Sequence, residues 1–459
     1  MFELLGLSEM AAAVEQGSIS PLELTNIHLQ AIEAKNPRVN AFIEVYAEEA
    51  IDRAGTPLTG PLAGVPVTVK DSFDIAGRVT NCGSLLRADA VATRHSNVVD
   101  RLLNAGAILI GKTSTPEFLY YYETDNRLIG RTNHPLDEAR TSGGSSGGEA
   151  AAIASGMSAG GVGSDGGGSI REPAHFCGIC GLKPTPGRVG AGGHWPEIAH
   201  PTGFMGVAGP MARTAADVRL LFEVLAGYDP RDPFSAPVPL QSQSARRARI
   251  FVITGYKTEL ACTQAPHKAA VLLNELGHSV EEFPFALLSE AHDLWRLLFV
   301  DYLTAGIRDM VQGREDDCDW TGLELTRYAR ETIDASRLGR ILLERDRMRA
   351  RLLEFMGNDA VLIAPAFGVT AFPHRQCPMD LMDAIRPVSP ANLLGLPALV
   401  LPMVSTPEGM PAGVQLIGAP WTDELLLDLA VRLEHARGSQ WLTPKSLPTT
   451  TTNTTTPTA

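Results

Sequence analysis

Short apolar runs alternate along this chain with stretches of helical spacing, and that alternation sets the first expectations. Residues 64–71 (GVPVTVKD) read as a strand that ends in charge, residues 96–105 as a helix, and 107–110 as a buried strand. The pattern returns downstream. Residues 249–253 read as a strand, 264–276 as a helix and 278–283 as another strand. Residues 360–364, 398–402 and 413–417 are further apolar runs of strand length, and 422–436 an amphipathic closing helix. Upstream, Ser20-Pro21-Leu22-Glu23 has the form of a capping box with proline in the first helical turn, opening a helix toward Lys35. Strand–helix–strand order predicts an α/β fold: a large central mixed, mostly parallel β-sheet covered by helices on both faces. No internal repeat or long linker interrupts it. A single domain over 1–445 is expected, with a core at 61–220, a helical cover at about 287–355, and a mobile Thr/Pro-rich tail at 446–459.

Composition narrows the function classes. The 459 residues carry 39 Lys+Arg against 52 Asp+Glu, a net charge of −13. That balance, with no clustered basic patch, argues against a nucleic-acid partner. No run of about 18 uncharged apolar residues predicts a membrane span, and Met1-Phe2-Glu3-Leu4-Leu5 lacks the pattern of a signal peptide. Six cysteines are too few to staple a chain of this length. A cytoplasmic protein is expected. Oligomeric state is not legible, and a homodimer is compatible with the sequence.

Glycine is where the chemistry shows. Of 44 glycines, 20 fall between Thr141 and Pro210. They frame two serine-bearing loops, Gly143-Gly144-Ser145-Ser146-Gly147-Gly148 and Asp165-Gly166-Gly167-Gly168-Ser169-Ile170-Arg171, on either side of a helix candidate at 149–155. Such loops turn backbone N–H groups toward an anion, either a phosphate or the oxyanion of a carbonyl under attack. The phosphate reading fails. No lysine precedes Ser or Thr after the last glycine, and the lone GxGxxG at Gly161–Gly166 leads into Ser169 and Arg171 instead of a clean helix start. The acyl-transfer reading needs a base for the serine. No histidine lies in either loop, but Lys70 stands at the end of an apolar strand, where burial would favour its neutral amine. Position alone favours a surface lysine at a strand end over a catalytic one.

Three blocks in register change that balance. Val67-Thr68-Val69-Lys70-Asp71, the Ser145 loop and the Ser169 loop, spaced by 75 and 24 residues between Lys70, Ser145 and Ser169, resemble the amidase signature family. The likeness extends through residues 176–185, 209–214 and 413–418. It implies a Ser–cis-Ser–Lys triad: Ser169 the nucleophile, Ser145 the bridging serine on a cis peptide bond, and Lys70 the base. It implies an oxyanion hole from the N–H groups of Gly166, Gly167, Gly168 and Ser169, with support from Ser146, Asp165 and Arg171. Many relatives carry a larger residue where this chain has Gly166, so a less rigid turn is expected. Cys177 and Cys180 fall in a family block that reads as packing, and no metal or organic cofactor is implied. Tyr121, Tyr122, Trp195 and Phe204 are candidate pocket residues, which favours aryl or acyl amides, esters or carbamates, as in urethanase-like hydrolases. The alternative is the glutamine-hydrolysing component of a tRNA-dependent amidotransferase complex. The small-molecule substrate itself is not fixed by the resemblance.

Overall fold

The computed structural model describes residues 2–241 and 247–438; the Thr/Pro-rich tail expected at 446–459 lies outside the described residues. Eleven strands form one sheet. In chain order they are β1 (Phe42–Val45), β2 (Pro66–Lys70), β3 (Ile108–Thr113), β4 (Gly160–Asp165), β5 (Cys180–Lys183), β6 (Val207–Ala212), β7 (Arg249–Val252), β8 (Ser279–Glu282), β9 (Ala360–Pro365), β10 (Ala398–Ser405) and β11 (Pro411–Ile417). Their spatial order is β1-β3-β2-β4-β6-β5-β10-β11-β9-β7-β8. Parallel pairing occupies the two flanks, β3-β2-β4 and β9-β7-β8. The middle of the sheet, from β4 through β6, β5, β10 and β11 to β9, is antiparallel, and β1 adds an antiparallel edge.

The inner strands are buried on both faces, which explains why β9 and most of β10 read as continuous apolar runs. Alternate residues go to opposite sides. Val361, Ile363, Leu399, Leu401, Val414 and Leu416 join one apolar cluster with the closing helix, whose Leu425, Leu426 and Leu429 pack there. Leu362, Ala364, Ala398 and Ile417 join a second cluster with Trp295, Leu298 and Leu352 of the cover region. The cover contains the helices Ala291–Arg296, Leu303–Val311 and Ala335–Met356, the first two joined by the helical stretch Leu297–Tyr302. The capping box forms as the sequence predicts: Glu23 N–H donates to Ser20 Oγ at 3.1 Å, and Ser20 N–H to Glu23 Oε2 at 2.9 Å. The helix it opens runs Pro21–Val39.

Sheet register places the chemistry. β2 and β4 are parallel neighbours, with Thr68 opposite Gly161 and Val69 opposite Val162. Parallel neighbours end at the same edge of a sheet, so Lys70 at the end of β2 lies beside Ser164 and Asp165 at the end of β4. Two short helices lead away from this edge: α1 (Gly147–Ala154) after the Ser145 loop and α2 (Arg171–Cys177) after the Ser169 turn.

Candidate active site

Lys70 is fully buried, and its Nζ lies 2.6 Å from Ser145 Oγ and 3.1 Å from Ser164 Oγ. Burial lowers its pKa to about 7, against the opposing pull of Cys82, Asp165 and Glu149. The adjacent carboxylate is not its counter-ion. Asp71 pairs with Lys112 at 3.1 Å, and Lys112 also donates to Val79 O at 2.8 Å and Thr80 Oγ1 at 2.9 Å. The amine beside the Ser145 and Ser164 hydroxyls is thus buried without a carboxylate partner of its own, with its pKa brought down to about 7.

The Gly144–Ser145 peptide bond is cis. Contacts on both sides fix it: Gly144 N–H donates to Glu172 Oε2 at 2.9 Å, and Thr115 Oγ1 donates to Ser145 O at 2.7 Å. Ser146 N–H donates to Ser169 O at 3.1 Å and ties the two serine loops together. Ser146 Oγ reaches Ser164 O at 3.3 Å. Lys70 and Ser145 are thus brought within hydrogen-bond reach. Ser169, 8% exposed, sits on the adjoining turn, and among the described residues its Oγ has no hydrogen-bond partner.

The turn after β4 is organised around Asp165. Its carboxylate accepts from Gly168 N–H at 2.8 Å, Ile170 N–H at 3.1 Å, Arg171 Nε at 3.0 Å and Nη2 at 3.1 Å, and Asn392 Nδ2 at 2.9 Å. Burial alone would raise the Asp165 pKa, but the Arg171 charge and these donors hold it well below the usual carboxylate range. Arg171, fully buried, also donates to Val388 O at 3.0 Å and to the side chains of Gln415 and Asn392. The Asp165–Arg171 pair is therefore an interior post and not a surface pair. Removing one member of a buried pair strands the other charge, at about 3–5 kcal/mol. Asp165→Ala is expected to lose that much stability in chemical denaturation, with Asp165→Asn losing less because it keeps one acceptor.

The expectation that Gly168 lends its N–H to an oxyanion is corrected by this network, because that N–H is already given to Asp165. The N–H groups of Gly166, Gly167 and Ser169 donate to no group among the described residues. Gly168 has φ +115°, a conformation that an L side chain resists, and a Cβ there would lie 2.9 Å from Val388 Cγ2.

Of the four aromatics expected along a pocket, Tyr122 touches this turn, its Oη donating to Gly167 O at 2.7 Å. The other three belong to the same apolar cluster as Tyr122 and Trp295. Tyr121 packs edge-on against Trp320 with centroids 4.9 Å apart, Trp195 lies beneath Arg87 at 4.0 Å, and Phe204 beneath Arg345 at 4.1 Å. The aromatics that meet the turn come instead from the cover. A Cβ on Gly167 would lie 2.8 Å from Trp295 Cζ2, and one on Gly166 would lie 3.1 Å from Phe299 Cε2. Neither residue stands near a motif in sequence. Glu172 and Ser164 were also unsignalled as site residues, although both lie within or beside the quoted blocks. Cys177 and Cys180 are free thiols buried in packing.

Comparison with known proteins identifies the family. The amidase family model matches residues 23–427. The chain is 34% identical to the indoleacetamide hydrolase of Bradyrhizobium diazoefficiens, covering 94% of this chain and 86% of that enzyme. It is also 34% identical to the A subunit of the glutamyl-tRNA(Gln) amidotransferase of a Synechococcus species, over 94% of this chain and 96% of that protein. Among solved structures, 6-aminohexanoate cyclic dimer hydrolase with its substrate superimposes with a TM-score of 0.85 at 28% identity, over 96% of this chain and 100% of the other. Likeness sustained across almost the whole length, with the same large mixed sheet beneath it, marks common descent, and the chain belongs to the amidase signature family of amidohydrolases, which act on carbon–nitrogen bonds other than peptide bonds.

Proposed function

We propose that this enzyme hydrolyses small-molecule amides through an acyl-enzyme on Ser169, with Ser145 and Lys70 completing a Ser–cis-Ser–Lys triad. The observation that carries the reading is the buried Lys70 amine 2.6 Å from the hydroxyl of a serine on a cis peptide bond. A neutral amine accepts the Ser145 proton, Ser145 accepts that of Ser169, and Ser169 Oγ attacks the carbonyl carbon. The negative charge then moves to the carbonyl oxygen. The N–H groups of Gly166, Gly167 and Ser169 are the donors left to meet it, each of the kind that contributes about 3–4 kcal/mol in a hydrolase. Ser145 returns a proton to the leaving nitrogen, the C–N bond breaks, and water, activated by the same relay, releases the acid. The Ser145–Ser169 hydrogen bond forms as the substrate is seated, since catalytic hydrogen bonds of this kind tighten in the bound complex.

Ser146, Asp165 and Arg171 serve the triad by position: Ser146 through its bonds to Ser169 and Ser164, the other two by fixing the turn. The substrate reading is an aryl or acyl amide, with carbamates and esters of the same acyl group as further substrates. The aromatic lining at Tyr122, Trp295 and Phe299 supports it, as does the likeness to an indoleacetamide hydrolase. Free cysteines suit a reducing compartment, and the reading places the enzyme in the cytoplasm. Among the described residues, no helix is long and apolar enough to cross a membrane.

The second reading, a glutamine-hydrolysing component of an amidotransferase, is favoured by equal identity to a protein of that kind. A panel of phenylacetamide, an anilide, an aryl carbamate, an aryl ester and glutamine separates the two. Aryl amides are expected to exceed glutamine in kcat/KM by at least about tenfold, the discrimination one well-filled apolar pocket supplies. Glutamine as the best substrate would replace the first reading by the second.

A further inference from the structure

The Ser169 turn is closed to solvent except at one end. Gly167, Gly168 and Ile170 are buried, whereas Gly166 is half-buried, and so is the ring beside it, Phe299. Phe299 belongs to a six-residue π-helical stretch, Leu297–Tyr302. Such wide turns break helical spacing and re-aim a side chain. Several contacts hold this one. Tyr120 Oη donates to Phe299 O at 2.7 Å, Asp301 accepts from Arg330 N–H at 2.5 Å and Glu331 N–H at 2.9 Å, and Arg296 pairs with Asp301 at 2.5 Å.

The Phe299 ring is stacked on Trp295, with centroids 4.9 Å apart and planes at 15°, and on Tyr120, at 5.5 Å and 28°. Both contacts are stacked, so they are made through the faces of the Phe299 ring. Its edge is then the part left open. That edge is turned to the catalytic turn: a Cβ on Gly166 would lie 3.1 Å from Phe299 Cε2 and 3.9 Å from Cζ. Glycine at 166 is what admits the ring so close.

The geometry points to Phe299 as a specificity-determining residue, its edge at the mouth of the turn receiving the face of a planar aryl group carried next to the scissile carbonyl. The inference rests on Ser169 being the nucleophile, as proposed above. A ring edge carries the positive end of the aromatic quadrupole and a ring face the negative end, so the edge prefers an aryl face to a saturated ring of equal size. Gly166 and Phe299 act together, because any side chain at 166 must displace the ring.

The test compares phenylacetamide with cyclohexylacetamide, which differ in the π-face and little in size. The native enzyme is expected to favour the aryl amide in kcat/KM by about threefold to tenfold, the worth of one aromatic pair. Phe299→Leu should bring the ratio close to unity, chiefly through KM. Gly166→Ala should lower it as well, and adding that change to Phe299→Leu should lower it no further. A fluorophosphonate probe reports Ser169 in each variant. Ser169 labelled, with the aryl preference kept in Phe299→Leu or in Gly166→Ala, overturns the specificity role and leaves the hydrolase reading standing. Ser169 unlabelled in the native enzyme overturns both. Should Phe299→Leu not fold, Gly166→Ala carries the comparison alone.

Discussion

Ser169→Ala will remove amide hydrolysis by about five to six orders of magnitude, the loss seen when a serine hydrolase is stripped of its nucleophile. The loss will be in kcat, since the Oγ takes part only once bonds begin to change. The fold will survive. Ser169 Oγ has no hydrogen-bond partner among the described residues, so truncating it breaks no contact, whereas the backbone of Ser169 still accepts from Ser146 N–H at 3.1 Å. A melting temperature within a few degrees of the native value, with covalent labelling by a fluorophosphonate abolished, is the expected pair of results. Full turnover by the variant would remove Ser169 from the chemistry.

Lys70→Ala is expected to cost about two to four orders of magnitude in kcat/KM, the usual contribution of a positioned general base. The pH dependence is more telling than the size. Burial puts the Lys70 pKa at about 7, well below an exposed lysine. Only the neutral amine accepts a proton, so the native kcat/KM rises with pH through about 7 and levels off above it. The variant should lack that rising limb. A second consequence has the same sign. Between the folded pKa near 7 and the ordinary lysine value, the unfolded chain binds a proton that the folded chain does not. The contribution of this group to stability therefore grows as pH rises across that window. An identical pH profile in native enzyme and Lys70→Ala would show that another group supplies the base.

Much of this site was legible because its parts lie in short, dense blocks. Glycine runs around Ser145 and Ser169 mark close approach of backbone, and an apolar run ending in Lys70 marks a strand delivering an amine to the sheet edge. The strand that joins them was not legible. β4 has the sequence Gly-Gly-Val-Gly-Ser-Asp, with one branched apolar residue, and shows neither alternation nor an apolar run. It is a central strand because neighbours crowd it: a Cβ on Gly163 would lie 2.8 Å from Ser146 Oγ and 2.9 Å from Met211 Sδ. Packing of that kind leaves glycine in the sequence and no strand pattern.

Part of the aromatic surroundings of the turn was not legible, for a different reason. Tyr121, Trp195 and Phe204 are near the serine loops along the chain, and each packs against a partner of its own, Trp320, Arg87 and Arg345. Trp295 and Phe299 are more than a hundred residues downstream in a cover region whose pattern reads as plain helix, and a π-helical stretch is what aims Phe299 inward. Asn392 and Gln415, which complete the shell around Asp165 and Arg171, arrive from later still through strand order. Contacts across such distances come from topology, and no local spacing records them. The role of Gly168 was misjudged on a finer scale: the glycine run supplies the turn, but which of its N–H groups stays free depends on where the Asp165 carboxylate points.

The proposed chemistry turns on the charge of one amine, and that charge is directly measurable. In enzyme carrying isotope-labelled lysine, the side-chain resonance of Lys70 can be identified by its disappearance in Lys70→Arg, which distinguishes it from the other buried lysine shifted to about 7, Lys183. A resonance so assigned that titrates near pH 7 is the predicted result. One that stays protonated up to about pH 10, as an ordinary lysine does, would contradict the proposed base.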